Sequence, residues 1–431
     1  STPTMRSLRA ALFCAALRGA APLRLGQRAA RRGSTATSAT AASLAPTAPT
    51  TVVPPRPSRI VQVAVRGKTF DVKRDDAWRL LGDFGAGVSG NKARKLFSFA
   101  VSGPRGCVVA SLGGHQSNAM CALAALCHAR GTPFVYLAKP VPKWLRQNPS
   151  GNYARALALG MELVPLAPAD YARAVRDAGY RNGLLADVAL SLRDESDEHQ
   201  GPPDVEWVPQ GAACAAAEFG VRLAADELAS QYDAATLRRL TVVLPSGTGT
   251  TALFLARHLR PHGATVVAVP CATGGAELQA QMAKLDAASG NCSLYPEVLD
   301  LPPRLGEAKH VFGRPHVRHL ALWAELRKGG LHVDLLYAPH AWDSMLRAFG
   351  LEENAAEASE NARDENAREE NARAFEEHAF GGDSAPVAAH PSAGLFAGRH
   401  VVYLHCGGAE GVATLLTRYR HAGLIKDANF I

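Results

Sequence analysis

From about residue 60 onward, short β-branched apolar runs alternate with longer Ala- and Leu-rich stretches, and Gly or Pro stands at many of the joints. Residues 60–65 and 69–73 look like a strand pair around an Arg66-Gly67 turn. Residues 107–111 form a β-rich run that stops before Gly113-Gly114, and a helical stretch follows from about Ser117 to Arg130. Residues 134–138 read as the next strand, 153–159 as an Ala-rich helix ended by Gly160, and 162–165 as a further strand. Later, 240–244 and 265–269 read as strands flanking a helix over about 251–259, and 400–404 as a last strand before Gly407-Gly408. Strands alternating with helices predict an α/β protein with parallel sheets covered by helices on both faces. The 431 residues leave room for two such sheets. The expected division is a smaller subdomain over about 90–205 and a larger one built from 57–89 plus 206–431.

Two segments depart from this pattern. Residues 34–58 are Ser, Thr, Ala and Pro with almost no charge, the composition of a disordered linker. Between 352 and 377 the tetrapeptide Glu-Asn-Ala-Arg recurs at 360–363, 365–368 and 370–373. A five-residue period rotates about 140° around a helix at each repeat, so no apolar face builds up. Residues 352–392 are therefore expected to be a solvated low-complexity insertion.

Charge changes the picture at one end only. The formal net charge is +8, but the first 55 residues hold seven arginines and no Asp, Glu or Lys, which leaves +1 for the remainder. That balance gives no support for nucleic-acid binding. An Arg-, Ala- and Ser-rich segment without acids, with a basic amphipathic stretch between Met5 and Arg32, reads as an organelle transit peptide over 1–56 or as a disordered tail. The first reading places the protein in a mitochondrion or plastid, the second in the cytoplasm. No apolar stretch reaches membrane-spanning length. The eight cysteines are scattered without a C-x-x-C pair or zinc-type His spacing, and are expected to be buried thiols in a reducing compartment.

Three motifs carry chemistry. Lys92 lies in Ser89-Gly90-Asn91-Lys92-Ala93-Arg94-Lys95-Leu96, where the Gly90-Asn91 turn can aim the next side chain into a cleft. A desolvated lysine loses its proton more readily and can form a Schiff base; a surface lysine near a helix start is the plainer reading. Gly113-Gly114-His115-Gln116-Ser117-Asn118 follows a strand and opens a helix, the place where open α/β sheets bind ligands. Backbone amides there can take a carboxylate, and Asn118 can hydrogen-bond a ring oxygen. Ser117 and Asn118 are equally well explained as helix caps. Ser246-Gly247-Thr248-Gly249-Thr250-Thr251 follows the β-branched run 241–244, and its small residues suit a phosphate at a helix start. It is neither a Walker A loop nor a dinucleotide fingerprint.

Taken in order, these motifs resemble the fold-type II pyridoxal phosphate (PLP) enzymes, in the branch of 1-aminocyclopropane-1-carboxylate (ACC) deaminase and D-cysteine desulfhydrase. Val72-Lys73-Arg74-Asp75-Asp76, Lys143-Trp144-Leu145, 147–152 and Gln210-Gly211-Ala212 add to the likeness, which spans about 57–431 outside the insertion. The resemblance implies a tryptophan synthase beta-like fold with PLP in the cleft between the two α/β units. It also implies a homodimer acting on a small amino acid; the charge balance, the short apolar runs and the Cys and His spacing already point to no nucleic-acid or membrane partner and no metal. By position it implies that Lys92 is the Schiff-base lysine, that Asn118 bonds the ring oxygen and that Ser117 lies beside the substrate. It further implies that Ser246, Gly247, Thr248, Gly249 and Thr250 hold the phosphate. Tyr337 falls where the branch has an active-site tyrosine, or is a half-buried tyrosine at a strand end.

Two departures bear on substrate. ACC deaminases carry glutamate directly after that tyrosine, paired with the pyridine nitrogen; this chain has Ala338. The His-x-Gly-Gly turn near the C-terminus has Cys406 at x, a candidate partner for the ring nitrogen or a plain buried thiol. Opening a cyclopropane benefits from a protonated ring, and the acid that would hold that proton is missing. The expected activity is therefore a deaminating α,β-elimination of the D-cysteine desulfhydrase kind, giving a keto acid and ammonia. ACC deaminase activity is the runner-up. The same residues would also serve a PLP-binding protein without turnover, or a β-replacement synthase.

Overall fold

The computed structural model describes residues 55–80, 88–103, 106–192, 203–304, 309–351 and 394–425. The expected leader and the 352–392 insertion lie essentially outside these residues. Two sheets organise the chain. The larger has six strands in the order β1 (Ile60–Val65), β2 (Lys68–Lys73), β10 (His400–Leu404), β7 (Leu240–Ser246), β8 (Thr265–Pro270) and β9 (Glu297–Val298). The smaller has four, in the order β5 (Met161–Pro165), β4 (Phe134–Ala138), β3 (Val108–Leu112) and β6 (Val205–Trp207). Among the described strands, only β1 and β2 pair antiparallel, through the Arg66-Gly67 turn, and the other strand pairings are parallel. The α/β fold class expected from the sequence is thus the one observed. The strand expected at 107–111 sits one residue later, and the hairpin belongs to the larger sheet.

The burial of the strands explains their sequences. Strands covered on both faces read as unbroken apolar runs, and β3, β4 and β7 are buried along their whole length. In the larger sheet successive side chains go to opposite cores. Val243, Val267, Val401 and Tyr403 pack with Trp323, Trp342 and Met345 on one side. Val242, Val266, Val402 and Leu404 pack with Leu253, Phe254 and Leu278 on the other. Each fully buried side chain of this kind contributes about 1.5–3 kcal/mol of transfer free energy. The smaller sheet does the same, with the helix Asn118–Ala129 on one face and Leu185 and Val188 on the other. Among the described residues no helix is long and apolar enough to cross a membrane.

Candidate active site

The Lys92 helix, Gly90–Lys95, starts against the Cys406 turn that follows β10. Gly90 adopts φ +64°, and a Cβ there would run into the Cys406 carbonyl, so glycine is required on both counts. The contact is used: the Asn91 amide donates to the Cys406 carbonyl at 3.0 Å. The Lys92 turn and the Cys406 turn are therefore stapled backbone to backbone.

A buried ion network holds the same helix from behind. Arg94 forms ion pairs with Asp75 (2.7 Å) and Glu227 (2.8 Å), and Glu227 also pairs with Lys73 at 2.8 Å. Ser58 bridges Asp75 and Glu227, and the Arg94 guanidinium lies 4.0 Å from the centre of the Trp78 ring. The two cations and two anions balance. Burial alone would raise the Asp75 carboxyl, but Arg94 and its neighbours bring it below the usual range. Two residues away, nothing comparable stabilises the charge on Lys92. Its Nζ donates to Asn91 Oδ1 at 3.1 Å, and dehydration lowers its pKa against the weaker attraction of Cys406 and Asp334.

Lys92, Asn118 and Cys406 line one cavity between the two sheets, together with Asn152, Arg155, Gly408 and Glu410. Asn118 is the first residue of its helix, and its amide is oriented by a relay. Asn152 Nδ2 donates to the Gln116 carbonyl (3.1 Å) and to Asn118 Oδ1 (2.7 Å). Because the Gln116 carbonyl only accepts, the orientation of Asn152 is set, and with it that of Asn118. The Asn118 NH2 group is left facing Gly408, where a Cβ would come within 2.8 Å of Nδ2. Cys406 is half-buried, and burial pushes its thiol up to about 12, so it stays a neutral weak donor. His405 before it is fixed in the neutral tautomer: Nδ1 accepts from the Gly407 amide at 3.2 Å while Nε2 donates to the His332 carbonyl at 2.8 Å.

The Gly/Thr loop joins β7 to the helix Thr250–Leu259. Thr248 and Thr250 share a hydroxyl hydrogen bond of 2.9 Å, while the buried Ser246 Oγ has no partner. Tyr337 lies against this loop, 3.3 Å from where a Cβ of Gly247 would stand. It begins the helix Ala338–Ala348, and its backbone amide is held by Asp334 Oδ1 at 2.5 Å. Ser117 uses its hydroxyl to cap the Asn118–Ala129 helix, accepting from the Met120 amide at 3.3 Å. Thus Lys92, Asn118 and Cys406 come together in the cavity, and Ser246–Thr250 with Tyr337 in the loop. Ser117 stands at the helix start as a cap.

Three residues to which the sequence motifs assigned no site role are built into this region. Lys95 is buried, donates to the Gly211 carbonyl beside Thr248, and has its pKa driven well down, first by burial and then by Lys92. It links the lysine helix to the Gly/Thr loop. Asn152 orients Asn118, and Asp334 positions Tyr337. The sequence signal for Asp334 was its place three residues before Tyr337, the spacing of a side-chain-closed turn.

No known family model and no curated protein matches this sequence. Its structure, however, is similar to that of an ACC deaminase homologue, at 17% identity over 86% of this chain and 96% of that one, with a TM-score of 0.56. Other solved structures that match are the processed form of threonine deaminase isoform 2 from Solanum lycopersicum and a fungal L-serine ammonia-lyase from Rhizomucor miehei. The former is 11% identical over 85% of this chain and 84% of that one, with a TM-score of 0.47. The latter is 14% identical over 86% and 98%, with a TM-score of 0.44. The first of these carries the assignment: the chain has the fold of the ACC deaminase homologue, and the likeness is one of architecture.

Proposed function

We propose that this protein is a PLP-dependent lyase that deaminates a small amino acid by α,β-elimination, in the manner of a D-cysteine desulfhydrase. The observation that carries the reading is the convergence of Lys92, Asn118 and Cys406 on one cavity. The residues present fit the cofactor. A Gly/Thr loop at a helix start, with an unpartnered buried hydroxyl on Ser246 and the buried Lys95 near Thr248, suits a phosphate. The Asn118 NH2 group suits a ring oxygen, and the Cys406 thiol suits an unprotonated ring nitrogen. When bound, PLP supplies an electron sink for the carbanion formed at the substrate α-carbon.

The chain's own residues supply the rest. Lys92 is the residue that would hold the cofactor, and its Nζ would take the substrate α-proton. Its lowered pKa raises the fraction of neutral amine available for both tasks. Amides of the Gly113–Asn118 turn hold the substrate carboxylate, with Ser117 and Tyr337 beside the substrate. A neutral thiol at Cys406 and an alanine at position 338 leave the ring without an acid to protonate it. That favours simple β-elimination over opening a cyclopropane, with ACC deamination as the second reading. The test is an absorbance scan of the protein reconstituted with PLP, wild type and Lys92→Ala, with and without D-cysteine. A visible lysine-bound PLP band in wild type alone, changing as sulfide and pyruvate appear, is expected. An unchanged band redirects the substrate toward ACC or D-serine, and no band at all refutes the PLP assignment.

A further inference from the structure

Behind the Gly/Thr loop and Tyr337 lies a second cluster of chemistry-bearing side chains that the proposed reaction does not use. His310 comes from the loop after residue 308, His319 from the helix Val317–Lys328, and His340 from the helix Ala338–Ala348. One ring nitrogen from each lies within 4.8 Å of the other two. We propose that His310, His319 and His340 form a binding site for one late first-row divalent cation of the zinc class, separate from the amino-acid site.

Three observations support it. First, the donor set is all imidazole, which suits zinc, nickel or cobalt and not the oxygen-seeking magnesium or calcium. Cys271 is nearby but aims its thiol at the Val269 carbonyl (3.3 Å). Asp343, whose charge acts on His319 and His340, has both carboxylate oxygens taken by Arg304 at 2.8 Å. Second, the outer shell is in place. His310 Nε2 bonds the Cys271 carbonyl at 3.1 Å, and His340 leans on the Pro270 backbone. Metal-bound histidines commonly donate their second N–H to a backbone carbonyl, which turns the other lone pair toward the ion.

Third, His316 stands beside them, its ring centre 4.8 Å from that of His319. Its Nδ1 is buried without a hydrogen-bond partner, and a water bound to the ion would satisfy it. Tetrahedral zinc with bonds of about 2.05 Å places its nitrogens about 3.3 Å apart. The rings of His310 and His340, now stacked with centres 3.9 Å apart, would turn about their Cβ–Cγ bonds to meet it.

Such an ion would be structural. His340 follows Tyr337 by one helical turn, and the Phe312 ring lies 5.2 Å from that of Tyr337. Binding would fasten the loop that carries His310 and Phe312 to the helix that Tyr337 begins.

The test uses the full chain, stripped with a chelator and titrated with Zn2+ against a chromophoric competitor, in wild type, His319→Gln and His340→Gln. The expected result is one fewer zinc per chain in each variant, or affinity lower by at least about tenfold, the least that loss of even an outer-shell partner causes. Zinc should raise the melting temperature of wild type only, and Co2+ should give intense visible bands in wild type only. Equal zinc stoichiometry and affinity in wild type and variants, or no binding by wild type, overturns the proposal. Should the variant at buried His319 or half-buried His340 fail to fold, His310→Gln, also half-buried and on a loop, makes the same comparison.

Discussion

Glu227 is the residue whose removal should tell most about how the Lys92 helix is held. Glu227→Gln keeps the size of the side chain and deletes one of the two negative charges in the buried network. Arg94 would keep Asp75, bonded at 2.7 and 3.2 Å. Lys73, fully buried, would keep the Ser58 carbonyl, the Gln231 amide oxygen and at best a neutral amide oxygen at position 227, and no carboxylate in direct contact. Breaking a buried pair from one side costs about 3–5 kcal/mol, because the remaining charge is left uncompensated. That is a large part of the roughly 5–15 kcal/mol that holds a typical domain together. The sign with pH follows from Lys73. Its pKa is already lowered, since burial outweighs the pull of Glu227, and the substitution lowers it further. A lysine that is neutral when folded and protonated when unfolded makes the unfolded state bind the extra proton. Stability then rises with pH, by about 1.4 kcal/mol per unit, between the folded pKa and the ordinary lysine range. The deficit of Glu227→Gln should therefore be larger at a neutral pH than at an alkaline one, because it closes as the pH rises from the variant's folded Lys73 pKa to that of the wild type. Urea unfolding at both pH values measures it, with Trp78, stacked on Arg94, among the fluorescent reporters. A loss below about 1 kcal/mol near neutrality, or a loss unchanged with pH, would refute the reasoning.

Three further substitutions probe the cavity. Ser246→Ala removes a buried hydroxyl without a partner, so cofactor-free protein should melt at the same temperature or higher, while PLP affinity, read by fluorescence titration, should fall by about 1–2 kcal/mol. Asn152→Ala frees the Asn118 amide to turn, and should weaken PLP binding about 5- to 30-fold while leaving the Lys92 helix in place. Gly408→Ala sets a Cβ at φ +97° and 2.8 Å from Asn118 Nδ2; it should destabilise by more than about 1 kcal/mol in denaturant and impair PLP capture by absorbance.

The sheets were legible in the sequence because their strands are buried on both faces. The spans 134–138 and 400–404 are apolar, β-rich runs with clear ends, and they coincide with the observed strands. Residue 107 was drawn into β3 because a buried cysteine reads like any other small apolar residue, although the pairing begins at Val108. The site was legible where its chemistry is local, as at Lys92 and in the Gly/Thr loop. It was not legible where a side chain acts across the fold. Asn152 reaches Asn118 from another helix, and Lys95 reaches Gly211 from more than a hundred residues away. The histidine cluster was missed for the same reason. Its members are spaced without any metal-binding regularity, and the two helices and a loop bring them together only in three dimensions.

The position of β10 has a consequence for how the chain must be made. The β1–β2 hairpin reaches the larger sheet only through β10, which pairs with β2 on one side and β7 on the other. That strand is translated more than three hundred residues after the hairpin, an interval of on the order of twenty seconds to a minute at about 5–20 residues per second. Throughout it, the apolar edge of β2 has no partner strand within its own chain, and Lys92 has no Cys406 turn to lock against. The nascent protein thus carries an open sheet edge through most of its synthesis. Sequestration of that edge by a chaperone, and strand exchange between neighbouring chains, would compete for the same short stretch of backbone.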